Sequence, residues 1–150
     1  MQRDSFKCAP RLRVRWAEVY MQKVVFNGHY LTYIDTAIAE YWREIGLPYP
    51  QGYVERYGSD MFLRKASVEY LGSARYDDVL SVGTRVERLG RTSMTFQFGI
   101  FREDPQPAEA PLVTAELVYV NADPKSMKSV PLPAELRERV LAYERVAPQN

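Results

Sequence analysis

The apolar and polar positions of the chain follow two different periods. Near its start, Leu12, Val14 and Trp16 alternate with three arginines, which is the two-residue period of a strand with one buried face. This alternation predicts a strand. Where the chain stays extended, Glu18 and Tyr20 face the same side as Leu12, Val14 and Trp16.

A helical period begins near Asn27. Apolar side chains recur every three or four residues as far as Ile45, and they form one wide stripe. The stripe consists of Tyr30, Ile34, Ala37, Ile38, Tyr41, Trp42 and Ile45. Asn27 is a good cap residue and Gly46 a good stop, so we predict a long helix from Asn27 to Ile45 that is covered on most sides.

The remainder of the chain is dominated by strand patterns joined by short connections. The predicted strands are roughly Met61–Ala74, Val79–Leu89, Ser93–Arg102 and Leu112–Asn121. A short helix near Tyr53 precedes them, and a terminal helix over about 133–144 follows. Consecutive strands most simply pair as an antiparallel meander, and the long apolar helix needs a sheet to wrap it. We therefore predict an α+β fold, with a curved five-stranded antiparallel sheet around a central helix.

Composition narrows the class of protein. The 150 residues suit a single domain with a core over about 11–123, and 46% hydrophobic with 26% charged residues is ordinary for a globular protein. The net charge of +1 gives no bulk attraction to nucleic acid or to anionic membranes. Cys8 is the only cysteine and His29 the only histidine, so no disulfide and no metal site is expected. No apolar run approaches the length of a membrane span, and we expect a cytoplasmic protein without a cofactor.

Two segments carry a family resemblance. The stretches "RVRWAEVYMQKVVFNGHYLTYIDTAIAEYW" and "FLRKASVEYLGSARYDDVLSVGTRVERLGRTSMTF" resemble the 4-hydroxybenzoyl-CoA thioesterase-like branch of the hotdog-fold acyl-CoA thioesterases. The similarity covers most of Arg11 to Asp123. It implies a hotdog fold and hydrolysis of a small acyl or aryl thioester of coenzyme A. It also implies a homo-oligomer, either a dimer with a continuous sheet and active sites at its interface or a dimer of such dimers.

The chain departs from the family pattern at one position. The family usually has an acidic residue, any residue and then Asp before its "VV" element, and that Asp acts as nucleophile or general base. Here Glu18 occupies the first acidic position and Tyr20 stands where the Asp belongs. A phenol with a pKa of about 10 is almost entirely neutral at pH 7, so we expect Tyr20 not to be a base and the activity to be weakened. The family's carbonyl-polarising backbone N–H falls at Asn27.

Glu18 and His29 are the alternative candidates for the base. Glu18 has suitable chemistry, but it lies two residues, or roughly 6–7 Å, from the family position, and a structural role competes. His29 is a second candidate, since the start of a helix keeps an imidazole neutral. Asp35 and Glu40 lie farther along the helix, where we expect interface or solvated charges.

The coenzyme A end of a substrate requires cations. Guanidinium groups bind phosphate well through their forked donors. The candidates for this role are Arg64, Lys65, Arg88, Arg91 and Ser93, and the alternative for each cation is a solvated charge. Two rivals to a weakened thioesterase stay open: a non-catalytic protein that binds acyl-CoA or acyl carrier protein, and a structural homo-oligomer whose cleft is vestigial.

Overall fold

The computed structural model describes all 150 residues, Met1–Asn150. Its strands are β1 (Arg11–Arg13), β2 (Asp60–Tyr70), β3 (Val79–Leu89), β4 (Ser93–Asp104) and β5 (Val113–Ala122). Its helices are α1 (His29–Glu44), the short α2 (Val54–Tyr57) and α3 (Ala134–Tyr143). None of these helices has the length and apolar character needed to cross a membrane.

The five strands form one antiparallel sheet in the order β1-β3-β4-β5-β2. The predicted apolar stripe of α1 packs against the sheet in a single core, together with Met94, Phe96 and Phe98 of β4. Leu136 and Val140 of α3 complete that core. The predicted hotdog fold, with a five-stranded antiparallel sheet around the long α1, is confirmed.

The predicted meander is wrong for one strand. Strands β3, β4 and β5 follow one another, but β2 pairs with β5 instead of with β3. The segment between β2 and β3 crosses the ends of the intervening strands. Gly72 N–H donates to the Leu112 carbonyl at the start of β5 (2.9 Å), and Arg102 near the end of β4 donates to the Ser73 carbonyl (2.8 Å). These contacts carry the chain from one side of the sheet to the other.

The first strand is also shorter than its alternation predicts. β1 ends at Arg13, and Trp16–Glu18 forms a 3₁₀ turn. The strand alternation therefore does not continue to Tyr20. The turn is closed by its own side chains, because Glu18 accepts a hydrogen bond from the Arg15 backbone N–H at 2.8 Å. A run of alternating residues cannot reveal this side-chain closure.

The two edges of the sheet differ. The outer edge of β3 is covered along its length by β1, by a bridge from Cys8 to Thr84 and by a parallel bridge from Gln149 to Arg88. β2 has a neighbour only on its β5 side, and most of its side chains are exposed. One long edge strand is therefore open for pairing.

Candidate functional site

A small hairpin positions the family segment. Val19 bridges Val25 in antiparallel fashion, and Tyr20 lies in the turn between them, where its carbonyl accepts from Lys23 N–H at 2.6 Å. Val25 N–H donates to the Ala74 carbonyl at 2.9 Å, which fixes the hairpin to the segment between β2 and β3. The hairpin therefore fixes the position and direction in which the chain enters α1.

The start of α1 leaves backbone donors free. The helix begins at His29, two residues later than predicted, and the side chain of Asn27 makes no cap hydrogen bond. His29 N–H donates to the Phe26 carbonyl at 2.9 Å, but the N–H groups of Asn27 and Gly28 have no acceptor within the chain. The Tyr70 hydroxyl at the end of β2 contacts the Asn27 carbonyl at 3.4 Å. Free N–H groups at the start of a helix suit a developing negative charge.

Tyr20 lies beside this helix start. Its ring is 45% exposed and meets the Phe26 ring edge to face at a centroid distance of 5.8 Å. Its hydroxyl makes no hydrogen bond within the chain. Phe26 in turn contacts the ring of His29, which is partly exposed and also lacks a hydrogen-bonding partner. An aromatic wall therefore flanks the free N–H groups.

Glu18 does not face this site as a free carboxylate. Glu18 is 5% exposed. Its carboxylate oxygens accept hydrogen bonds from the Arg15 backbone N–H, from the Arg15 guanidinium at 2.9 Å and from the Tyr33 hydroxyl at 2.9 Å. Burial acts to raise the pKa of Glu18, but the hydrogen bonds from Arg15 and Tyr33 outweigh it and lower the pKa. A carboxylate whose lone pairs are filled by donors and whose pKa is lowered is a poor proton acceptor.

An apolar cleft opens between α1 and the sheet. It has a volume of about 290 Å³. Its lining consists of Asp35, Ile38, Ala39, Trp42, Tyr49, Met61, Phe96 and Tyr119. Asp35 is the one charged side chain among them, and it makes neither a hydrogen bond nor an ion pair within the chain. Burial, and after it the Asp35 carboxylate, raise the pKa of Tyr119 to about 12, so this phenol stays neutral.

A family model described as the thioesterase superfamily matches residues 22–109. The chain belongs to this superfamily. The match includes Asn27, α1 and strands β2 to β4, and it begins two residues after Tyr20. The family segment with the free helix start is therefore within the matched region.

Individual relatives agree with this membership. A putative esterase of Aquifex aeolicus is 34% identical over 100 residues, which are 67% of this chain and 77% of that protein. The acyl-CoA thioester hydrolase YbgC of Escherichia coli is 29% identical over 126 residues, 83% of this chain and 89% of that protein. The structure of 4-hydroxybenzoyl CoA thioesterase from Pseudomonas sp. strain CBS-3 covers 87% of this chain and 96% of its own, with a TM-score of 0.79 and 22% identity. At that identity, the likeness shows the shared hotdog fold alone.

The predicted coenzyme A contacts of this superfamily member fall into two groups. Arg64, Arg88 and Ser93 line one surface groove with Thr95 and Val118, and the carboxylates of Glu87 and Glu116 line it too. Phe96 and Leu117, the strand neighbours of Thr95 and Val118, point into the core. Since side chains alternate along a strand, Thr95 and Val118 point the other way, and the groove lies on the face of the sheet opposite α1. Lys65 and Arg91 are exposed but do not line it. Three of the five candidates thus converge, at a distance from Asn27 within one chain.

Asp35, for which the sequence predicts an interface or solvated charge, has an exposed side chain at the cleft. Asp35, Ile38, Ala39 and Trp42 have the i, i+3, i+4, i+7 spacing of one helix face, so the pattern already placed the carboxylate on an apolar stripe. The depth of the cleft depends on Met61, Phe96 and Tyr119 from other strands, which spacing does not show. No three acidic, histidine or cysteine side chains converge as metal ligands do.

Proposed function

We propose that the protein is an acyl-CoA thioesterase acting on a small acyl or aryl thioester. The observation that carries this proposal is the pair of free N–H groups at Asn27 and Gly28, inside the segment matched by the superfamily model. The similarity to a named acyl-CoA thioester hydrolase supports the same substrate class.

The free N–H groups suit one step of thioester hydrolysis. When water attacks the carbonyl carbon, negative charge develops on the carbonyl oxygen, and donors already aimed at that oxygen stabilise the transition state more than the ground state. Backbone donors at a helix start need no reorganisation, and the helix dipole adds to them. The half-exposed rings of Tyr20 and Phe26 lie beside these donors and would contact the bound thioester.

The open edge of β2 supports a dimer. An uncovered strand of 11 residues invites pairing with a second copy, whereas the opposite edge is closed by three segments of the chain itself. Tyr70 packs on Tyr30 and Met61 lines the cleft, so both side chains face α1. The β-bulge between Leu63 and Lys65 gives both ends this orientation. Antiparallel pairing over the full strand then brings Met61 of one subunit beside Tyr70 of the other.

This dimer would complete the site. Tyr70 contacts Asn27, and Met61 borders the apolar cleft. Pairing the two β2 strands therefore sets the free N–H groups of one subunit at the mouth of the cleft of the other. The acyl group would occupy the cleft, whose six large apolar or aromatic side chains suit a compact, flat or branched chain. Sedimentation at micromolar concentration should give a dimer or a multiple of it, and a stable monomer would contradict this assembly.

A thiol-release panel tests the activity. Purified protein is incubated with short aliphatic, branched and aromatic acyl-CoAs, and free thiol is measured against a blank without protein. We expect turnover that is highest for one class of small acyl group. The substitution of Tyr20 favours one alternative, a non-catalytic acyl-CoA or acyl-carrier-protein binder. Thermal stabilisation by acyl-CoAs, with no release from any of them, would establish that alternative in place of the hydrolase.

A further inference from the structure

One wall of the apolar cleft comes from neither the long helix nor the sheet. Residues of α1 form one side, and Met61, Phe96 and Tyr119 of the sheet form the other. Tyr49 belongs to the connection that follows the left-handed Gly46 at the end of α1. Its ring lines the cleft while 45% of its surface stays exposed. Tyr49 is therefore the wall residue whose side chain can shift without disturbing the helix or the sheet.

A carboxylate at the start of β2 holds this ring in place. The Tyr49 hydroxyl donates to both Asp60 oxygens, Oδ1 at 2.9 Å and Oδ2 at 3.2 Å. Oδ1 also accepts the Met61 N–H at 2.7 Å, so one carboxylate connects two residues that line the cleft. Burial, and after it the hydrogen bond to Asp60, raise the pKa of the Tyr49 phenol, so it stays a donor at neutral pH.

The backbone on both sides of Tyr49 is fixed independently of this hydrogen bond. Leu47 is fully buried, and its N–H donates to the Trp42 carbonyl at 2.9 Å. The Pro50 carbonyl accepts the Tyr53 N–H at 3.1 Å, and the Tyr53 ring is buried in the core. Loss of the Tyr49 hydroxyl would therefore free the ring and leave the connection in place.

We propose that Tyr49 determines the specificity of hydrolysis by limiting the bulk of the acyl group, and that Asp60 is the positioning residue that holds the Tyr49 ring against the cleft. The inference rests on the proposed function, with the acyl group in this cleft. At about 290 Å³, the cleft lies at the lower end of the range of about 300–1,000 Å³ for small-molecule pockets, so one ring decides how much fits. Compact groups such as butyryl and benzoyl are accepted, and octanoyl and longer chains are excluded.

The other aromatic side chains of the cleft suit this role less well. Trp42 and Phe96 are 4% and 1% exposed and belong to the core, so they cannot turn away without loss of packing. Tyr119 extends from β5, and its ring meets Phe96 edge to face at a centroid distance of 5.9 Å. Tyr49 alone combines a place on the cleft with a hydrogen bond that anchors its outer end.

The first test removes the ring. Thiol release from butyryl-, hexanoyl-, octanoyl- and benzoyl-CoA gives kcat/KM for wild type and for Tyr49→Ala. One methylene in an apolar pocket is worth about 10–200-fold in specificity, so Tyr49→Ala should raise the ratio of octanoyl to butyryl kcat/KM at least roughly tenfold. A loss of folded protein lowers both rates equally and leaves this ratio unchanged, so the ratio separates a specificity role from a structural one.

The second test removes the hydrogen bond and keeps the ring. Tyr49→Phe deletes the donor and Asp60→Ala the acceptor, and each should shift the same ratio by a smaller factor, about 2–10-fold for one hydrogen bond. The double variant should add nothing further, because both changes remove one interaction. Asp60→Asn keeps an acceptor oxygen and should retain the wild-type ratio.

A second tyrosine–carboxylate pair supplies the matched control. The Tyr57 hydroxyl donates to the Glu135 carboxylate, and neither residue lines the cleft. Tyr57→Phe makes the same chemical change as Tyr49→Phe, so it should keep the wild-type ratio of octanoyl to butyryl kcat/KM. A shift in Tyr57→Phe as large as that in Tyr49→Phe would contradict a role specific to Tyr49.

The outcomes separate this inference from the proposed function. If wild type hydrolyses acyl-CoAs and Tyr49→Ala keeps its ratio, or if wild type prefers octanoyl-CoA, only the inference is overturned. If wild type releases no thiol, the proposed function fails, and calorimetric binding of acyl-CoA thioethers of the same chain lengths decides the inference by the same shift in preference. Should Tyr49→Ala fail to fold, wild-type ratios in both Tyr49→Phe and Asp60→Ala overturn it.

Discussion

Replacement of Asn27 by proline isolates the main-chain donor from the side chain. Proline deletes the N–H that is free in the structure, so the change breaks no hydrogen bond of the folded chain. Phe26 pairs its N–H with the Glu18 carbonyl in the hairpin, and a residue in such an extended segment tolerates a following proline. Loss of one oxyanion donor costs about 10²–10³ in kcat, and we expect a fall of at least roughly a hundredfold.

Asn27→Ala is the matched control. A lost N-cap side chain usually costs about 1 kcal/mol of stability, but the Asn27 side chain makes no cap hydrogen bond, so the alanine variant should unfold near the wild-type temperature and keep most of its activity. The assay is thiol release at saturating acyl-CoA, with circular dichroism melting of all three proteins. Equal activity of Asn27→Pro and wild type would refute the donor role. Activity kept by Asn27→Pro and lost in Gly28→Pro would move the donor by one residue.

Three other measurements follow from the site and its surroundings. Tyr20→Asp should raise thiol release at least roughly tenfold by restoring a carboxylate at the family position, whereas Tyr20→Phe should change little. Because the folded pKa of Glu18 is lowered, its ionised form stabilises the fold above the ordinary value of 4.5. Glu18→Gln should therefore cost about 1–3 kcal/mol in urea unfolding at pH 7, and the difference from wild type should shrink as the pH falls below 4.5 toward pH 3. Burial, and next the charge of Glu44, raise the pKa of the Cys8 thiol to about 12, so a disulfide reagent should label Cys8 only after unfolding.

Most of the fold could be predicted because its determinants are local. The period-two and helical patterns placed β3 at its observed bounds and α1 within two residues of its start. The order in which the strands pair was harder to predict from the sequence. Strand β2 reaches β5 through hydrogen bonds at Gly72 and Ser73 that join residues far apart in the chain, and alternation in β2 itself carries no information about them.

The candidate site, too, could be predicted only where its determinants are close together in the sequence. Asn27 and Tyr20 could be named as candidates from the sequence because the family segment is continuous in the chain. The hydrogen bonds that hold the Glu18 carboxylate could not be predicted. They depend on Tyr33, fifteen residues away on α1, and on a 3₁₀ turn whose sequence has the alternation of a strand. The sequence placed Asp35 correctly as an exposed charge on α1, but the apolar walls beside it come from other strands and could not be read from the helix alone.

The covered edge of the sheet has a practical consequence for fusion proteins. Segments near both ends of the sequence, at Cys8 and at Gln149, are fastened to β3, three strands away from the open β2 edge. A reporter or a second enzyme attached after Gln149 would therefore emerge on the flank opposite the proposed β2 pairing edge, whereas one attached at Met1 would emerge beside Ser67 and Glu69 of β2. In the proposed dimer, two domains attached after Gln149 would lie at opposite ends of the continuous sheet, so the C-terminal end is the one to choose for a fusion that leaves the β2 edge free.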